Sequence, residues 1–471
     1  MNEHPLALLP ELLLLAGAVT TLLTGVFLPR RRQWVARLVA CGALLAAVAA
    51  TLPALGEQGT IYAHSYALDA ATTTARLLIP LAALIVVGIA AGRVGGNRRE
   101  TEFYVLILLA TLGAVLLVGA SDLLLLAVAY LLSSIPLSGL AGWGRDRRGA
   151  EAALKLYLVG ALAGVGLLAG VALLTAVAGG KSDYDGLRVG LAVAPSAAVA
   201  VGVVGVLAGL LFKIGAVPVH FWVPDAVQGA TIPAGALLTT IPKIGGLLAA
   251  YRLFAVAIPA DVVDWPLLVA VLAAVTMTLG NFAAFGQSDP RRLLAYSTVA
   301  QVGYLLMAVA VAGRAERALP ALLVYLVAYA VTNLGAFAVL AAEPHDRLDD
   351  YRGLAGRRPW LAAALVICLL GLVGTPPTAV FAGKLTVFTA AWDGGLAWLV
   401  VVAALNTVAS LFYYLRWLVP AFTWPAGPDR TEAVGRDRTL AATGAVTALA
   451  ALVGAVGAVP LYRLVEQTLQ R

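Results

Sequence analysis

Phe212-Lys213-Ile214-Gly215-Ala216-Val217-Pro218-Val219-His220, running on to Pro224-Asp225, closes an apolar run that begins near residue 195. The run is long enough to cross ~30 Å of hydrocarbon, yet it carries a lysine and is interrupted by prolines. A proline inside a helix removes a backbone donor and leaves a carbonyl without its partner. Open backbone at membrane depth is tolerated only where protein or water satisfies it. A charged side chain at the bilayer centre costs at least ~2.5–3.5 kcal/mol. The stretch therefore reads as a broken membrane helix holding an ionisable group, the arrangement that marks ion pathways in transporters.

The rest of the 471 residues agrees with a membrane chain. Hydrophobic residues make up 61% and charged residues 12%, about half the charged share of a soluble domain. A soluble exterior must be wetted, so a cytosolic enzyme and a disordered chain are both excluded. Apolar runs predict about fourteen spans: 5–28, 34–54, 74–93, 102–119, 122–142, 151–178, 195–222, 229–257, 264–286, 292–312, 317–341, 359–390, 395–419 and 439–462. Arginines such as Arg30, Arg98, Arg147, Arg291, Arg357 and Arg436 fall on alternate loops, whereas loops 55–73, 120–121, 258–263 and 391–394 are nearly free of basic residues, though 179–194 and 313–316 carry a few. By the positive-inside rule the arginine-bearing side is cytoplasmic and both termini face outward. Glu3 and the lack of a small-residue cleavage site make the first run a retained helix, not a signal peptide. The net charge of +7 is dispersed over many loops, which argues against nucleic acid. Cys41 and Cys368 lie in apolar runs, and His4, His64, His220 and His345 show no metal-ligand spacing. Neither a disulfide framework nor a metal centre is expected.

Of 32 basic residues only five are lysines. An arginine-favouring genome explains the small number but not the placement. Lys155, Lys213, Lys243 and Lys384 all lie inside apolar runs, and only Lys181 lies in a loop. A desolvated lysine gives up its proton readily, while a guanidinium stays charged, so a line of buried lysines suits a proton relay. Snorkelling to the interface is the competing reading, and it applies best to Lys155, one turn into the sixth span. Lys384 follows a second break, Thr375-Pro376-Pro377, with Gly383 beside it.

The two broken runs are the seventh and twelfth, five spans apart. A repeat of five spans must be inverted relative to its partner. The expected organisation is a three-helix segment (1–100), repeat 1 with spans 4–8 (101–257), repeat 2 with spans 9–13 (258–420), and a last loop and helix (421–471). His220 is placed either to hand protons to Lys243 or to bond a freed carbonyl. Glu151 and Lys155 have the spacing of an ion pair on one helix face. Asp225 reads as part of a tight connection, and Glu11 as a carboxylate favoured by a helix start. Gly164-Val165-Gly166 sits within a helix and reads as close helix packing rather than a nucleotide loop. No phosphate loop, cluster-binding cysteine set or haem ligand appears, so any redox chemistry belongs to another chain.

Leu8-Leu9-Pro10-Glu11-Leu12, Glu151-Ala152-Ala153-Leu154-Lys155, the Phe212 to Asp225 segment, Pro242-Lys243-Ile244-Gly245-Gly246, Arg292-Leu293-Leu294-Ala295-Tyr296-Ser297 and Gly383-Lys384 resemble the subunit N family of NADH-quinone oxidoreductase (respiratory complex I). The Lys213 to Asp225 and Arg292 to Ser297 motifs are shared with the wider antiporter-like family, which includes Mrp-type antiporters and membrane-bound hydrogenases. The resemblance implies an all-α polytopic fold in a bacterial inner membrane, one of several pumping subunits of a respiratory translocase. It implies that Lys213 is the central gate, Lys243 its relay, Lys384 the outward exit and Lys155 a modulator, with quinone reduction elsewhere driving proton movement. NADH, FMN, iron-sulfur clusters and quinone would sit on partner subunits, with neighbouring antiporter-like subunits and the lipid bilayer as contacts.

Two positions depart from the family pattern. The fifth-span glutamate, five residues before the proline of a Leu-Pro-Leu segment, falls on Leu131, next to Tyr130. The tenth-span histidine falls on Gln301, which does not titrate. Without the anion, Lys213 lacks the interaction that favours its charged form. A non-conducting scaffold in the antiporter position, an Mrp-type cation/proton antiporter subunit and a stand-alone small-solute transporter are therefore the alternatives to a pump.

Overall fold

The computed structural model describes residues 5–423. The expected fourteenth span, 439–462, lies outside the described residues. Within them the chain is almost wholly helical: α1 (Leu9–Phe27), α2 (Trp34–Thr51), α3 (Ala70–Val94), α4 (Glu100–Gly119), α5 (Leu123–Ala141), α6 (Arg147–Val177), α7 (Tyr184–Ala192), α8 (Ser196–Ile214), α9 (Trp222–Gly229), α10 (Ile232–Arg252), α11 (Trp265–Phe285), α12 (Pro290–Ala310), α13 (Ala318–Ala342), α14 (Leu354–Arg357), α15 (Pro359–Val373), α16 (Ala379–Asp393) and α17 (Ala397–Phe422). One short hairpin, β1 (Gly59–Ile61) with β2 (Tyr66–Leu68), is the sole sheet among the described residues. Twelve of the helical stretches are long and apolar enough to cross a membrane. Span 7 is the pair α8 and α9, and span 12 is the pair α15 and α16, both halves of which pack along α13. All thirteen spans expected before residue 423 are thus helical.

Six aspartates go to helix starts. Asp69, Asp122, Asp146, Asp183, Asp264 and Asp289 each accept from backbone N–H groups at the start of α3, α5, α6, α7, α11 and α12. Each such cap contributes about 1 kcal/mol, and it does so where orphan donors would otherwise face a membrane interface. Helices then approach closely through small residues. Gly170 on α6 lies against the backbone of Gly202 and Gly205 on α8, the packing expected of the glycine-rich stretch in span 6.

Polar contacts gather at the two ends of the bundle. At one end Arg93 donates to Ala341 O (2.7 Å), Arg291 pairs with Asp346 (2.8 Å), and Arg99 stacks over Trp143 at 4.6 Å. Loops that alternate along the sequence therefore meet at a single end. Helix α4 starts there and α11 finishes there, so the second five-span repeat runs opposite to the first. At the other end, Arg76 binds Glu11 through two bonds (2.7 and 2.9 Å), and Tyr66 donates to the same carboxylate (2.6 Å). Arg252 binds Asp69 through two bonds (2.6 and 2.9 Å) and donates to Val118 O (2.9 Å). Glu11 is thus not merely a helix-start carboxylate: it is buried and neutralises Arg76. The short helix α7, in a segment expected to be loop, lies at this end and follows the Asp122–Asp183 bridge.

Burial rises toward the centre. Helices α10, α12 and α13 are almost entirely enclosed, whereas α1, α2, α6 and α17 expose broad apolar faces. In lipid, exposed leucines cost nothing, so the helices turn their polar side chains inward.

Removing one partner of a buried ion pair costs about 3–5 kcal/mol, and an apolar replacement of both is far milder. Glu11→Ala should therefore lower the unfolding midpoint in mixed detergent more than the double change Glu11→Leu with Arg76→Met. A double variant no more stable than the single would overturn the structural role of this pair.

Candidate functional site

Lys213 is the penultimate residue of α8. The helix stops because Gly215 takes a left-handed conformation (φ 78°) and the N–H groups of Gly215 and Ala216 both return to Leu211 O (2.9 Å each), the hydrogen-bonding pattern of a glycine C-cap. Trp222 Nε1 donates to the next carbonyl, Phe212 O (3.0 Å). Span 12 ends its first half in the same way: Gly374 (φ 85°) and Thr375 both donate to Leu370 O (3.1 Å each). In each break a proline follows the glycine by three residues, at Pro218 and Pro377, and each is cis. The lysines, however, flank the breaks on opposite sides. Lys213 precedes its glycine by two residues, while Lys384 follows its own by ten, the place Asp225 holds in the first repeat.

Three lysines are buried. Lys213 Nζ donates to Ser134 Oγ (2.9 Å) and lies 5.5 Å from the centre of the Tyr130 ring. Lys243 Nζ donates to Leu238 O (2.9 Å), 4.6 Å from the Trp222 ring. Leu238 is the carbonyl that Pro242, which has no N–H, leaves without a helical partner. Lys384 Nζ donates to Val373 O (2.8 Å) at the end of α15 and sits 4.0 Å above the Tyr304 ring. The break glycines sit in tight places: a Cβ at Gly374 would stand 2.9 Å from Lys384 Cδ, and one at Gly215 2.5 Å from Val223 Cγ2. Among the described residues, none of these three ammonium groups has a carboxylate within 4.0 Å. Carbonyls, a hydroxyl and ring faces take the place of a counter-ion.

Buried neutral polar groups lie near Lys243 and Lys384, and of these sequence reasoning singled out Gln301 alone. One turn before Lys243, Thr239 O accepts from Tyr329 Oη (2.7 Å), which also lies 3.1 Å from Thr298 Oγ1. Asn333 donates to Thr239 and Thr240 (2.9 and 3.0 Å). Three residues past Thr298, Gln301 accepts from Tyr325 (2.5 Å) and donates to Leu372 O (2.7 Å), beside the carbonyl that holds Lys384. Asn281, Asn406 and Tyr413 form a further buried cluster at α11 and α17. Asparagines within apolar spans were the signal that a closer reading of the sequence offered.

Other expected site residues stand apart. Lys155 is not buried: its side chain is 45% exposed and pairs with Glu151 and Asp225 at 2.8 Å each. Its ammonium reaches the interface from near the helix start, the snorkelling outcome. Asp225 also binds Arg292 (2.7 Å). His220 is half-buried inside the span 7 break, and its Nδ1 has no hydrogen-bond partner. Leu131 is 40% exposed and faces outward, whereas its neighbour Tyr130 takes the inward position beside Lys213.

Residues 120–410 match the family described as NADH:quinone oxidoreductase/Mrp antiporter, transmembrane. NADH-quinone oxidoreductase subunit N 1 of Streptomyces griseus subsp. griseus is 53% identical over 457 residues, covering 97% of both chains. A chain of respiratory complex I from Thermus thermophilus superposes with a TM-score of 0.80 at 32% identity, covering 96% of this chain and 99% of that one. A chain of the Mrp complex from Dietzia sp. gives 0.83 at 25% identity, covering 98% and 97%. The chain belongs to the NADH:quinone oxidoreductase/Mrp antiporter transmembrane family and, within it, to the subunit N group of NADH-quinone oxidoreductase.

Proposed function

We propose that this chain is a proton-conducting membrane subunit of an NADH-quinone oxidoreductase, with Lys213, Lys243 and Lys384 as the groups that take up and release the proton. One observation supports the reading above others: three buried lysines have no carboxylate partner among the described residues, and buried hydroxyl and amide side chains of α10, α12 and α13 lie near Lys243 and Lys384. Hydroxyls both donate and accept, so Tyr329, Thr298 and Tyr325 are suited to pass a proton between lysines without holding charge. His220, with an unpartnered ring nitrogen in the span 7 break, is placed at the entry side. Lys155 acts at the interface through Asp225, which ties α6 to Arg292 at the start of α12 in the second repeat. Neighbouring antiporter-like subunits pack on the exposed helix faces. NADH, FMN, iron-sulfur clusters and quinone reside on partner chains, and quinone reduction there supplies the drive. The chain lies in the bacterial plasma membrane with its arginine-bearing end cytoplasmic and both termini outside.

A scaffold reading draws on Leu131. The acid that the family places next to the gate lysine is absent, and only Ser134 meets the Lys213 ammonium. The two readings separate in proteoliposomes. In Lys213→Ala and Lys384→Ala complexes that assemble fully, protons pumped per quinone reduced should fall; unchanged pumping in both would establish the scaffold instead. Tyr329→Phe removes one hydroxyl and nothing else, and it should slow pumping several-fold at an unchanged amount of assembled complex.

Orientation has its own check. A membrane-impermeant maleimide should label Gly56→Cys only from outside intact cells and Arg31→Cys only after the membrane is opened. Labelling in the reverse sense would invert the topology.

A further inference from the structure

Helix α13 finishes at the arginine-bearing end of the bundle, and a helix terminus leaves its last carbonyls without partners. Here three successive carbonyls are taken by side chains from elsewhere. Arg93 of α3 donates to Ala341 O (2.7 Å), Arg358 donates to Ala342 O (3.1 Å), and Tyr351 donates to Glu343 O (2.7 Å). Cations suit this place, because the carbonyl end of a helix carries partial negative charge. The Glu343 side chain lies in the same cluster, and the residue is only 6% exposed. Its carboxylate stands 3.0 Å from Arg358, 3.3 Å from His345 and 3.8 Å from Arg357. Burial alone would raise this carboxyl, but the His345 hydrogen bond and the charges of Arg358 and Arg357 outweigh it and hold it below the usual carboxylate range.

Arg358 is also the residue from which α15 starts, since the N–H groups of Leu361 and Ala362 both return to its carbonyl (3.1 Å each). With fifteen residues, α15 is about 22 Å long, and its far end is the part that meets Lys384. There Val373 O accepts from Lys384 Nζ (2.8 Å) and Leu372 O accepts from Gln301 (2.7 Å). Near that end Gly371 lets α15 lie directly on α13, where a Cβ would stand 2.8 Å from Thr332 Cγ2. We propose that Glu343 and Arg358 are positioning residues for Lys384: they hold α15 at a fixed height along α13 and so place the Val373 carbonyl at the lysine. A helix is stiff along its axis, so slippage at Arg358 is passed on to Val373. Displacement by about 1 Å would stretch that bond beyond hydrogen-bonding distance. The first repeat has no counterpart. Its α8 starts at Ser196 after Pro195, with no charged residue from Val193 to Ala198, and Lys213 bonds a side chain of α5 instead of a carbonyl of its own broken span. The role given to Lys384 rests on the pump reading; the anchor itself does not.

The test uses the assembled complex in lipid nanodiscs, with Cys41→Ser so that Cys368 is the sole thiol of this chain. Cys368 lies on α15 and is fully buried. Its alkylation by N-ethylmaleimide, followed by peptide mass spectrometry, therefore reports displacement of that helix. Glu343→Gln and Arg358→Met should each speed labelling several-fold and lower the protons pumped per quinone reduced, at an unchanged amount of assembled complex. Arg358→Lys keeps a cation beside Ala342 O but cannot span both acceptors, so it should label at an intermediate rate and retain most of the pumping. Asp349→Asn, which breaks an exposed pair in the same loop, should change neither. Unchanged labelling in Glu343→Gln and Arg358→Met would overturn the anchor. If those two fail to assemble, labelling of Arg358→Lys at the unaltered rate overturns it. Faster labelling with full pumping, where Lys384→Ala pumps less, would overturn the tie to Lys384. Full pumping in Lys384→Ala as well would overturn the pump reading instead, and the labelling would still decide the anchor.

Discussion

A cation held at membrane depth without an anion must be satisfied by dipoles, and that requirement organises the centre of this protein. Lys213 and Lys243 each meet it with one oxygen and a ring face, and Lys384 with Val373 O, the more distant Thr407 hydroxyl (3.5 Å) and a ring face. Two of those oxygens are backbone carbonyls left without a helical donor, one by a proline inside the continuous helix α10 and one by the end of α15. Pro242 frees Leu238 O, and the glycine cap at Gly374 ends α15 so that Val373 O points at Lys384. The proline within α10 and the end of α15 are therefore not incidental to Lys243 and Lys384. A helix with an N–H at every position would consume these carbonyls in its own hydrogen bonds.

The bundle treats its two kinds of buried cation differently. Arg76 and Arg252 are each clamped by a carboxylate through two hydrogen bonds and joined by a further oxygen. Such bidentate pairs fix geometry as well as charge, and both tie helices distant in sequence at one end of the bundle. Lysine is used where no carboxylate is present and where loss of a proton is chemically accessible. A guanidinium in place of Lys243 would stay charged against a lone carbonyl. A lysine in place of Arg252 could not reach both oxygens of Asp69 and Val118 O at once.

How much of this was legible in the sequence follows from the range of each signal. The spans and the two breaks rest on local properties, apolar run length and proline position, and the structure places helices at all thirteen described spans. Lys213, Lys243 and Lys384 stood out because a lysine inside an apolar run is anomalous on its own. Lys155 satisfied the same criterion and proved exposed, because depth depends on where α6 begins, at Arg147, and on the neighbours Glu151 and Asp225. Glu11 was misjudged for a related reason. Its partners are 55 and 65 residues away, beyond any local rule. The tyrosine, threonine and asparagine groups between Lys243 and Lys384 were missed because each is unremarkable alone, and only the packing of α10, α12 and α13 brings them into one line. Arg76 and Arg252 were visible inside apolar runs but were passed over beside the more numerous loop arginines.

The two repeats share their breaks but not their charges. Aligned on Gly215 and Gly374, the position of Lys213 in the first repeat is filled by Leu372 in the second, and Lys384 stands where the first repeat has Asp225. An inverted pair of this kind would, with identical side chains, give two equivalent half-paths. Here the first repeat holds its lysine before the break and a carboxylate after it, while the second has a lysine only after its break. The carboxylate of Asp225 is already engaged by Lys155 and Arg292, so it supplies nothing to the interior. The conserved element of the fold is the broken helix with its glycine cap. The charge placed around it differs between the halves, and Gln301 shows the consequence. Its amide donates to Leu372 O, the carbonyl of the residue that occupies the missing lysine's register. A neutral donor there satisfies the open helix end without adding a fourth buried lysine.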